Sequence, residues 1–519
     1  MPPESPGQRR FLPVACLLLA VYVLVRLLLI PSDPSVDAGF THDGGYIAIV
    51  ARNLAAGRGL VNDACWLMFV NPPHLPMAFH NSNPLYIVAT AGVSSWLHCN
   101  TPYAESVVSV LSNGLLGIAV FLLVLRFVPR VWPAAIAGAA AMLFPPNWTE
   151  SFMTTSDALA TGLLFCAVAA WVWAGRPVHW LGVGALFGLA WLTRSTATLI
   201  VPGLLCWLLL RKGVRSTIAA AALAGLAALL VASPWLYHTY LVRGSPFASD
   251  SGYYWLQDYF AAARHSTVDQ YWRSMVAPPS VGEVIRHDPA GLIRHTARGI
   301  PRTLYDWSAG LTARHRLWFV LLGAALATAA WRSRAWFRSP EGAACAAIFL
   351  ASLLSVAVRA ESTEVRFYSA VNTLLAILVV VPLFGRPRWW ALPLLAWTCF
   401  GLLPQNYALA HSALTPMPSK VAYRRMALQV SAAMPPGEAV VTELPYWFTY
   451  YTGRSAISPP YPGKSELLDA MARYHATTLL LPIATLPYYY PGSPSALSPE
   501  LQAGGVSGSY LLFRRLPKP

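Results

Sequence analysis

The sequence predicts an all-α polytopic membrane bundle, with amphipathic helices in its outer loops and a small α/β domain at its carboxyl end. Its 519 residues are 56% hydrophobic and only 11% charged, and the mean hydropathy is +0.47. A soluble chain usually carries about 25% charged residues. Apolar runs long enough to cross the roughly 30 Å hydrocarbon core of a bilayer recur along most of the chain. These observations predict a membrane protein before any motif is considered.

About eleven transmembrane helices are expected from apolar runs of roughly 16 to 24 residues. The first run follows Arg9 and Arg10, as the apolar part of a signal peptide would. It is longer than that part and lacks a small-residue cleavage motif, so we count it as a helix. The predicted spans lie near 11–30, 106–127, 131–146, 157–174, 179–193, 197–210, 217–236, 316–331, 342–358, 368–384 and 389–404.

Basic residues in the short connections predict the orientation of the bundle. They fall in alternate connections, on the same side as Arg9 and Arg10, and the positive-inside rule makes that side cytoplasmic. Loops 31–105 and 237–315 and the tail after residue 404 then lie outside. We therefore expect a protein of the bacterial plasma (inner) membrane whose functional face is periplasmic. The basic residues are Arg126, Arg130, Arg176, Arg211, Lys212, Arg215, Arg332, Arg334, Arg338, Arg386 and Arg388.

The tail differs from the rest of the chain in its pattern. Shorter apolar stretches alternate with helical patterns and end at turn residues such as Pro435-Pro436-Gly437. The sequence therefore predicts two domains, a transmembrane module over 1–404 and an outer-face α/β domain over 405–519. The expected elements of the second domain are helices near 420–434 and 446–452 and strands near 438–443, 477–481 and 510–513.

The formal net charge of +15 is partly carried by the predicted outer loop 237–315. Two interpretations of its arginines stay open: contact with anionic lipid head groups, or bidentate hydrogen bonds to a substrate phosphate. A nucleic-acid partner is not expected for a chain embedded in a bilayer.

Only Cys65 and Cys99 share a predicted outer loop. In an oxidising compartment they could form a disulfide, or they could remain two free thiols. No cysteine or histidine spacing predicts a structural zinc site.

Several short motifs lie on the predicted outer face. Asp43 follows the first apolar run, in a segment that continues through Tyr46 to Gly59. The other motifs are Asn83-Pro84-Leu85-Tyr86, Gly188 to Arg194, Ser233-Pro234-Trp235 with Gly244 to Phe247, and Tyr446 to Arg454. Together, in this order and on one side, they resemble the GT-C superfamily of integral-membrane glycosyltransferases. The resemblance is greatest to family 39, the protein O-mannosyltransferase and lipid A aminoarabinose transferase branch, and it spans nearly the whole chain.

The chain departs from this family pattern at two places. Asn83 replaces a proline, and Ser82 stands where a basic residue is usual, so the phosphate contact of that motif lacks its usual side chain. His238 and Thr239 occupy positions that are often arginine and asparagine.

The resemblance implies a glycosyltransferase that moves a sugar from a polyprenyl-phosphate donor to an acceptor hydroxyl, with inversion. The acceptor could be a lipid, a protein or a glycan. By resemblance Asp43 is the general base, because an alcohol is too weak an acid to ionise beforehand and must lose its proton as the new bond forms. A local alternative for Asp43 is a cap on the helix that begins near Gly44.

Asp157 resembles the second acidic residue of the family, which shares a metal with the first or orients the acceptor. Two carboxylates brought together would raise the pKa of one of them, so the pair predicts either a divalent metal held by Asp43 and Asp157 or an arginine between them. A helix cap is again the local alternative for Asp157.

Two arginines are candidates for the donor phosphate. Arg194 lies at an outer turn, where a buried cation is costly unless an anion is near it. It could instead reach lipid head groups. Arg366 resembles a late Arg-Tyr element of the family, and Glu364 could pair with it.

The remaining predicted substrate-binding residues are Tyr46, Tyr86, His80, His238 and Arg243. Outer-face histidines, His42 included, could also bind metal or accept a proton, although a lone histidine more often makes a local hydrogen bond.

Two other functions remain as alternatives. A transporter or flippase for lipid-linked sugars would bury charges in mid-span and use broken helices in paired halves. The charges of this chain lie at span ends, which disfavours that function. A non-catalytic envelope assembly protein would differ by no sequence feature except the intact Asp43.

Overall fold

A computed structural model describes residues 6–31, 33, 40–79, 83–143, 145–248, 250, 253–254, 256–312, 339–357, 370, 373, 377, 411, 415, 417–461, 463–489, 501–507 and 509–516. The helices before the carboxyl-terminal part are α1 Pro6–Leu28, α2 His42–Ala55, α3 Leu85–Leu97, α4 Thr101–Phe127, α5 Val131–Leu143, α6 Pro145–Glu150, α7 Asp157–Trp173, α8 Pro177–Thr193, α9 Val201–Arg243, α10 Gln257–Ala263, α11 Val268–Arg273, α12 Val281–His287, α13 Pro289–Thr312 and α14 Pro340–Ala357. Short 3₁₀ helices occupy Met68–Val70 and Ser195–Ile200.

Apolar helices follow the predicted spans wherever those spans lie in the described residues. Two of them, Thr101–Phe127 and Ser195–Arg243, are long and apolar enough to cross a membrane, and α3, α5, α7 and α8 are shorter apolar helices. The predicted spans 316–331 and 389–404 and most of 368–384 lie outside the described residues. The number of eleven spans therefore stays a prediction.

Helix α4 forms the centre of the helical part. The most apolar stretch of Thr101–Phe127 is 78% buried, against 22% for Ser195–Arg243. Glycines bring its neighbours close: a Cβ on Gly138 of α5 would lie 2.6 Å from the Gly117 carbonyl oxygen, and one on Gly162 of α7 would lie 2.7 Å from that of Ser112. By contrast, α9 exposes leucines such as Leu230, which is 64% exposed, as a lipid-facing helix does.

Helix α9 breaks in the middle. Gly213 has φ 75° and ψ 174°, a conformation outside the helical region. The break falls in the predicted connection between spans 197–210 and 217–236, so the helix is interrupted where a connection was expected. After the break, α9 packs closely on α8. A Cβ on Gly188 of α8 would lie only 2.9 Å from the Ala228 carbonyl oxygen of α9, so the glycine permits this approach.

The carboxyl-terminal part is an α/β unit. Its helices are α15 Pro418–Ala432, α16 Pro445–Thr452, α17 Lys464–Arg473 and α18 Leu486–Tyr489, and its strands are β4 Ala439–Thr442, β5 Ala456–Ile457, β6 Ala476–Pro482, β7 Leu501–Ser507 and β8 Tyr510–Arg515. The predicted helices near 420–434 and 446–452 and strands near 438–443, 477–481 and 510–513 correspond to α15, α16, β4, β6 and β8, whereas α17, α18, β5 and β7 were not predicted.

The first outer loop contributes a strand to this unit. Strand β2 (Ala64–Cys65) pairs in parallel with β5, and the six-stranded sheet has the order β2-β5-β4-β6-β8-β7. Strands β2, β5, β4 and β6 run parallel, while β8 and β7 add to the edge in antiparallel pairs. Strands β1 (Val61–Asn62) and β3 (Met77–Ala78) form a separate antiparallel pair.

Cys65 and Cys99 are both free thiols, so the disulfide alternative is not formed. Cys65 is fully buried in the core of the sheet, whereas Cys99 follows α3 and is half-buried. The side chain of Cys65 packs in a buried cluster with Ile457 and Met68.

Candidate active site

Asp43 is the second residue of helix α2. Thr41 is the N-cap, and its hydroxyl accepts a hydrogen bond from the Gly44 N–H at 3.0 Å. The alternative in which Asp43 caps this helix is therefore wrong, because Thr41 already fills that position. The half-buried Asp43 side chain lies in the first turn, at the positive end of the helix dipole.

Two glycines after Asp43 let other segments approach the start of α2. A Cβ on Gly44 would overlap the Thr154 side chain, and a Cβ on Gly45 would lie 3.1 Å from the Cβ of Tyr446. Thr154 also accepts a bond from the Thr41 N–H at 3.1 Å through its hydroxyl. The first turn of α2 is thus held between the loop before α7 and helix α16.

Asp157 begins α7, three residues after Thr154. Ser156 occupies the N-cap position, so Asp157 is not the cap of this helix. Its side chain is 8% exposed and accepts a hydrogen bond from Nη1 of Arg194, whose side chain is 26% exposed. The contact between Thr41 and Thr154 therefore brings the start of α2 next to the segment that carries this ion pair.

The cation found beside Asp157 is an arginine. Among the described residues, no group of three or more histidines, cysteines, aspartates and glutamates could hold a metal ion. A divalent metal between Asp43 and Asp157 stays a prediction.

Aromatic rings surround the first turn of α2. Tyr46 stacks on Phe79, with centroids 6.2 Å apart, and lies 5.4 Å from the ring of Tyr446. Burial raises the pKa of Tyr446 and of Tyr254 well above the usual value, and the negative charge of Asp43 adds to both shifts. The Asp43 carboxylate therefore lies in an aromatic environment built from loops 31–105 and 237–315 and from α16.

His42 lies in the middle of this aromatic cluster. Its ring centroid is 4.6 Å from that of Trp66 and 4.9 Å from that of Tyr446. Burial, chiefly, lowers the pKa of His42 to about 4; Arg273 lowers it further, while Asp43 and Asp269 oppose the shift. The imidazole is neutral at pH 7, and neither ring nitrogen has a hydrogen-bond partner among the described residues.

Three other predicted substrate-binding residues make contacts within the protein. Tyr86 is 1% exposed, and its hydroxyl donates to the backbone oxygen of Glu105 at 3.0 Å. His238 stacks on Trp235 and bonds the Phe79 carbonyl oxygen at 2.9 Å. Arg243 forms an ion pair of 3.1 Å with a buried aspartate, Asp250. All three side chains thus bond to other groups of the protein, and their roles in substrate binding stay predictions.

His80 and Arg366 lie outside the described residues, and so does Ser82. Their predicted roles in substrate binding stay predictions.

Thr154, Glu105 and Lys420 were not predicted from the sequence. Glu105 is fully buried at the start of α4 and could have been noticed as a carboxylate at the edge of a predicted span. Lys420 is 4% exposed and donates to the Phe40 carbonyl oxygen. A lysine and a threonine so far from Asp43 in sequence give no local pattern that predicts contact with its helix.

Comparison with known proteins relates the chain to membrane glycosyltransferases. Residues 88–238 match the family described as dolichyl-phosphate-mannose-protein mannosyltransferase. The fold is similar to crystal structures of ArnT from Cupriavidus metallidurans, one bound to undecaprenyl phosphate and one in the apo state. Each has a TM-score of 0.63 and 14% identity over 96% of this chain, covering 97% and 98% of the ArnT chain respectively. Comparison with curated proteins gives no significant match.

The family match over residues 88–238 and the similarity of fold to ArnT support membership of the GT-C superfamily. The family match includes Asp157, Arg194 and His238, while Asp43 lies before it. Thr41, two residues before Asp43, bonds Thr154, which lies inside the matched segment three residues before Asp157.

Proposed function

We propose that this GT-C protein is a glycosyltransferase that moves a sugar from a polyprenyl-phosphate donor to an acceptor hydroxyl on the outer face of the membrane. Asp43 acts as the general base in a single displacement that inverts the anomeric carbon. The similarity to ArnT, a protein whose structure is known with undecaprenyl phosphate bound, supports the donor class.

The proposed reaction needs a base and a cation. The acceptor oxygen forms a bond to the anomeric carbon while Asp43 takes the hydroxyl proton. The bond from that carbon to the phosphate oxygen breaks, and its electron pair leaves with the polyprenyl phosphate. Arg194 stabilises the departing phosphate with the N–H groups that do not bond Asp157.

The observation that carries the proposal is the position of Asp43. A different residue caps α2, so helix capping does not account for this carboxylate. It is half-buried, lies among aromatic rings that could flank a sugar, and sits beside the segment of the Asp157–Arg194 pair.

The test is sugar transfer by the full-length protein in proteoliposomes. The donors are radiolabelled undecaprenyl-phosphate mannose, glucose and aminoarabinose, each offered with the lipids and proteins of the host membrane as acceptors. We expect the wild-type protein to consume one donor, and Asp43→Asn to lower the rate by about 10²-fold or more, because the acceptor proton then has no base to receive it.

Asp469→Asn is the matched control, since Asp469 is exposed on α17 in the carboxyl-terminal unit. It should retain the wild-type rate. Consumption of no donor by the wild-type protein would argue against the transferase, and full activity of Asp43→Asn would remove Asp43 from the role of base.

A further inference from the structure

The carboxyl-terminal unit holds the two residues that precede helix α2. Nζ of Lys420, on α15, donates to the carbonyl oxygen of Phe40. Nε1 of Trp447, on α16, donates to the carbonyl oxygen of Thr41 at 3.2 Å. Both bonds join segments about four hundred residues apart in sequence, with separations of 380 and 406 residues.

Lys420 is an unusual side chain to find in this position. It is 4% exposed, and its ammonium group lies 5.1 Å from the ring centroid of Trp447 and 6.0 Å from that of Phe40. Removing an ammonium group from water is costly. An apolar residue of similar size usually stabilises a buried position at least as well, so packing alone does not explain a lysine here.

The opposite side of the same turn is held by the helical bundle. The hydroxyl of Thr41 donates to the Thr154 carbonyl oxygen at 3.3 Å. Each of the last two residues before the helix is therefore bonded to a neighbouring segment, and Asp43 follows Thr41 by two positions. A shift of either support would rotate the first turn of α2 and change where the Asp43 carboxylate points.

We propose that Lys420 and Trp447 are positioning residues for Asp43, and that the carboxyl-terminal unit is in this way a part of the catalytic machinery. The inference rests on the proposed function of Asp43. Lys420 and Trp447 act through the backbone of Phe40 and Thr41 and need not touch the substrate.

The test compares kcat with the KM for the undecaprenyl-phosphate donor in proteoliposomes of full-length variants. Lys420→Met should lower kcat by about tenfold or more, because a misplaced catalytic group loses rate steeply with distance. The KM for the donor should stay within about twofold, since no ground-state contact is removed. Lys420→Arg keeps an N–H donor for the Phe40 carbonyl and should recover most of kcat. Trp447→Phe keeps a ring but loses the N–H group, and should also lower kcat.

Tyr474→Phe is the matched control. The Tyr474 hydroxyl donates to the Pro72 carbonyl oxygen at 2.7 Å, which also joins the carboxyl-terminal unit to the first outer loop but away from α2. Its kcat should equal that of the wild-type protein. Wild-type kcat in Lys420→Met, an equal loss in Tyr474→Phe, or no recovery in Lys420→Arg would overturn the inference.

A second measurement does not depend on activity. Hydrogen–deuterium exchange of the peptide that contains residues 42–46 should be faster in Lys420→Met and Trp447→Phe than in Tyr474→Phe, because the first turn of α2 loses a support. Unchanged exchange would also overturn the inference. If the wild-type protein transfers no sugar but hydrogen–deuterium exchange responds as expected, the proposed function fails, whereas the support of the first turn of α2 by Lys420 and Trp447 is upheld.

Discussion

Asp43 depends on small neighbours for its position. Thr41 caps the helix, while Gly44 and Gly45 have no side chains to keep Thr154 and Tyr446 away. The sequence places Asp43 at the start of a helix beyond the first apolar run, and the structure agrees. The sequence alone does not show which residue is the cap, because threonine and aspartate both suit that position and only the backbone geometry distinguishes them.

The lowered pKa of His42 predicts that the start of α2 is sensitive to acid. In the folded protein its pKa is lowered to about 4, below the unperturbed value of about 6.5. The unfolded chain therefore binds a proton at a higher pH than the folded chain does. The stability that depends on a neutral His42 is complete above about pH 6.5 and is lost as the pH falls toward 4.

We expect the midpoint of thermal unfolding in detergent to fall over this pH range, by an amount that corresponds to at most roughly 3 kcal/mol. His42→Phe keeps a ring between Trp66 and Tyr446 but cannot be protonated, so its midpoint should change less between pH 6.5 and 4. Identical pH profiles for the two proteins would show that another group controls the loss.

Helices α8 and α9 illustrate what the pattern of a sequence can predict about elements. The apolar runs predict both helices, and the basic connection near Gly213 predicts the break in α9. The closeness of their packing is not visible in such runs. It depends on glycines that face a neighbouring backbone, and a sequence without coordinates does not show which glycines do so.

Substitutions at Gly184 and Gly182 of α8 provide a test of this packing and its matched control. A Cβ on Gly184 of α8 would overlap the Ala224 backbone of α9, whereas a Cβ on Gly182 would meet nothing within 4 Å. Gly184→Ala should therefore destabilise the protein by about 1–3 kcal/mol through overpacking. Gly182→Ala should be neutral or slightly stabilising, because alanine is the better helix former.

Thermal unfolding of both variants in the same detergent checks the difference. Equal midpoints for Gly184→Ala and Gly182→Ala would contradict the close α8–α9 contact.

The sheet shows where sequence-based prediction of elements ends. Strands β4, β6 and β8 were predicted from their β-branched and apolar runs. Strand β2 was not, because Ala64–Cys65 is two residues long and has no periodicity. Its pairing with β5 depends on a tertiary contact that no local pattern contains.

For the whole molecule, the orientation in the membrane stays a prediction from the basic connections. Cys99 gives a test, since it is a half-buried free thiol in the predicted outer loop 31–105. In a variant with Cys99 as its sole cysteine, a membrane-impermeant maleimide should label intact cells.

The control carries its sole cysteine at Arg215→Cys, an exposed position in the predicted cytoplasmic connection. It should react only after the membrane is made permeable. Labelling of the control but not of Cys99 in intact cells would reverse the proposed orientation.

The pairing of strand β2 with β5 must occur late in biosynthesis, because β5 is translated long after β2. The Ser458 hydroxyl donates to the Trp66 carbonyl oxygen across 392 residues, so the ribosome makes one partner long before the other. In the predicted orientation, the first loop crosses the membrane early and its strand edge stays unpaired until the last part of the chain is translated. A nascent chain that stops before strand β5 would leave that edge open to proteases and chaperones of the receiving compartment.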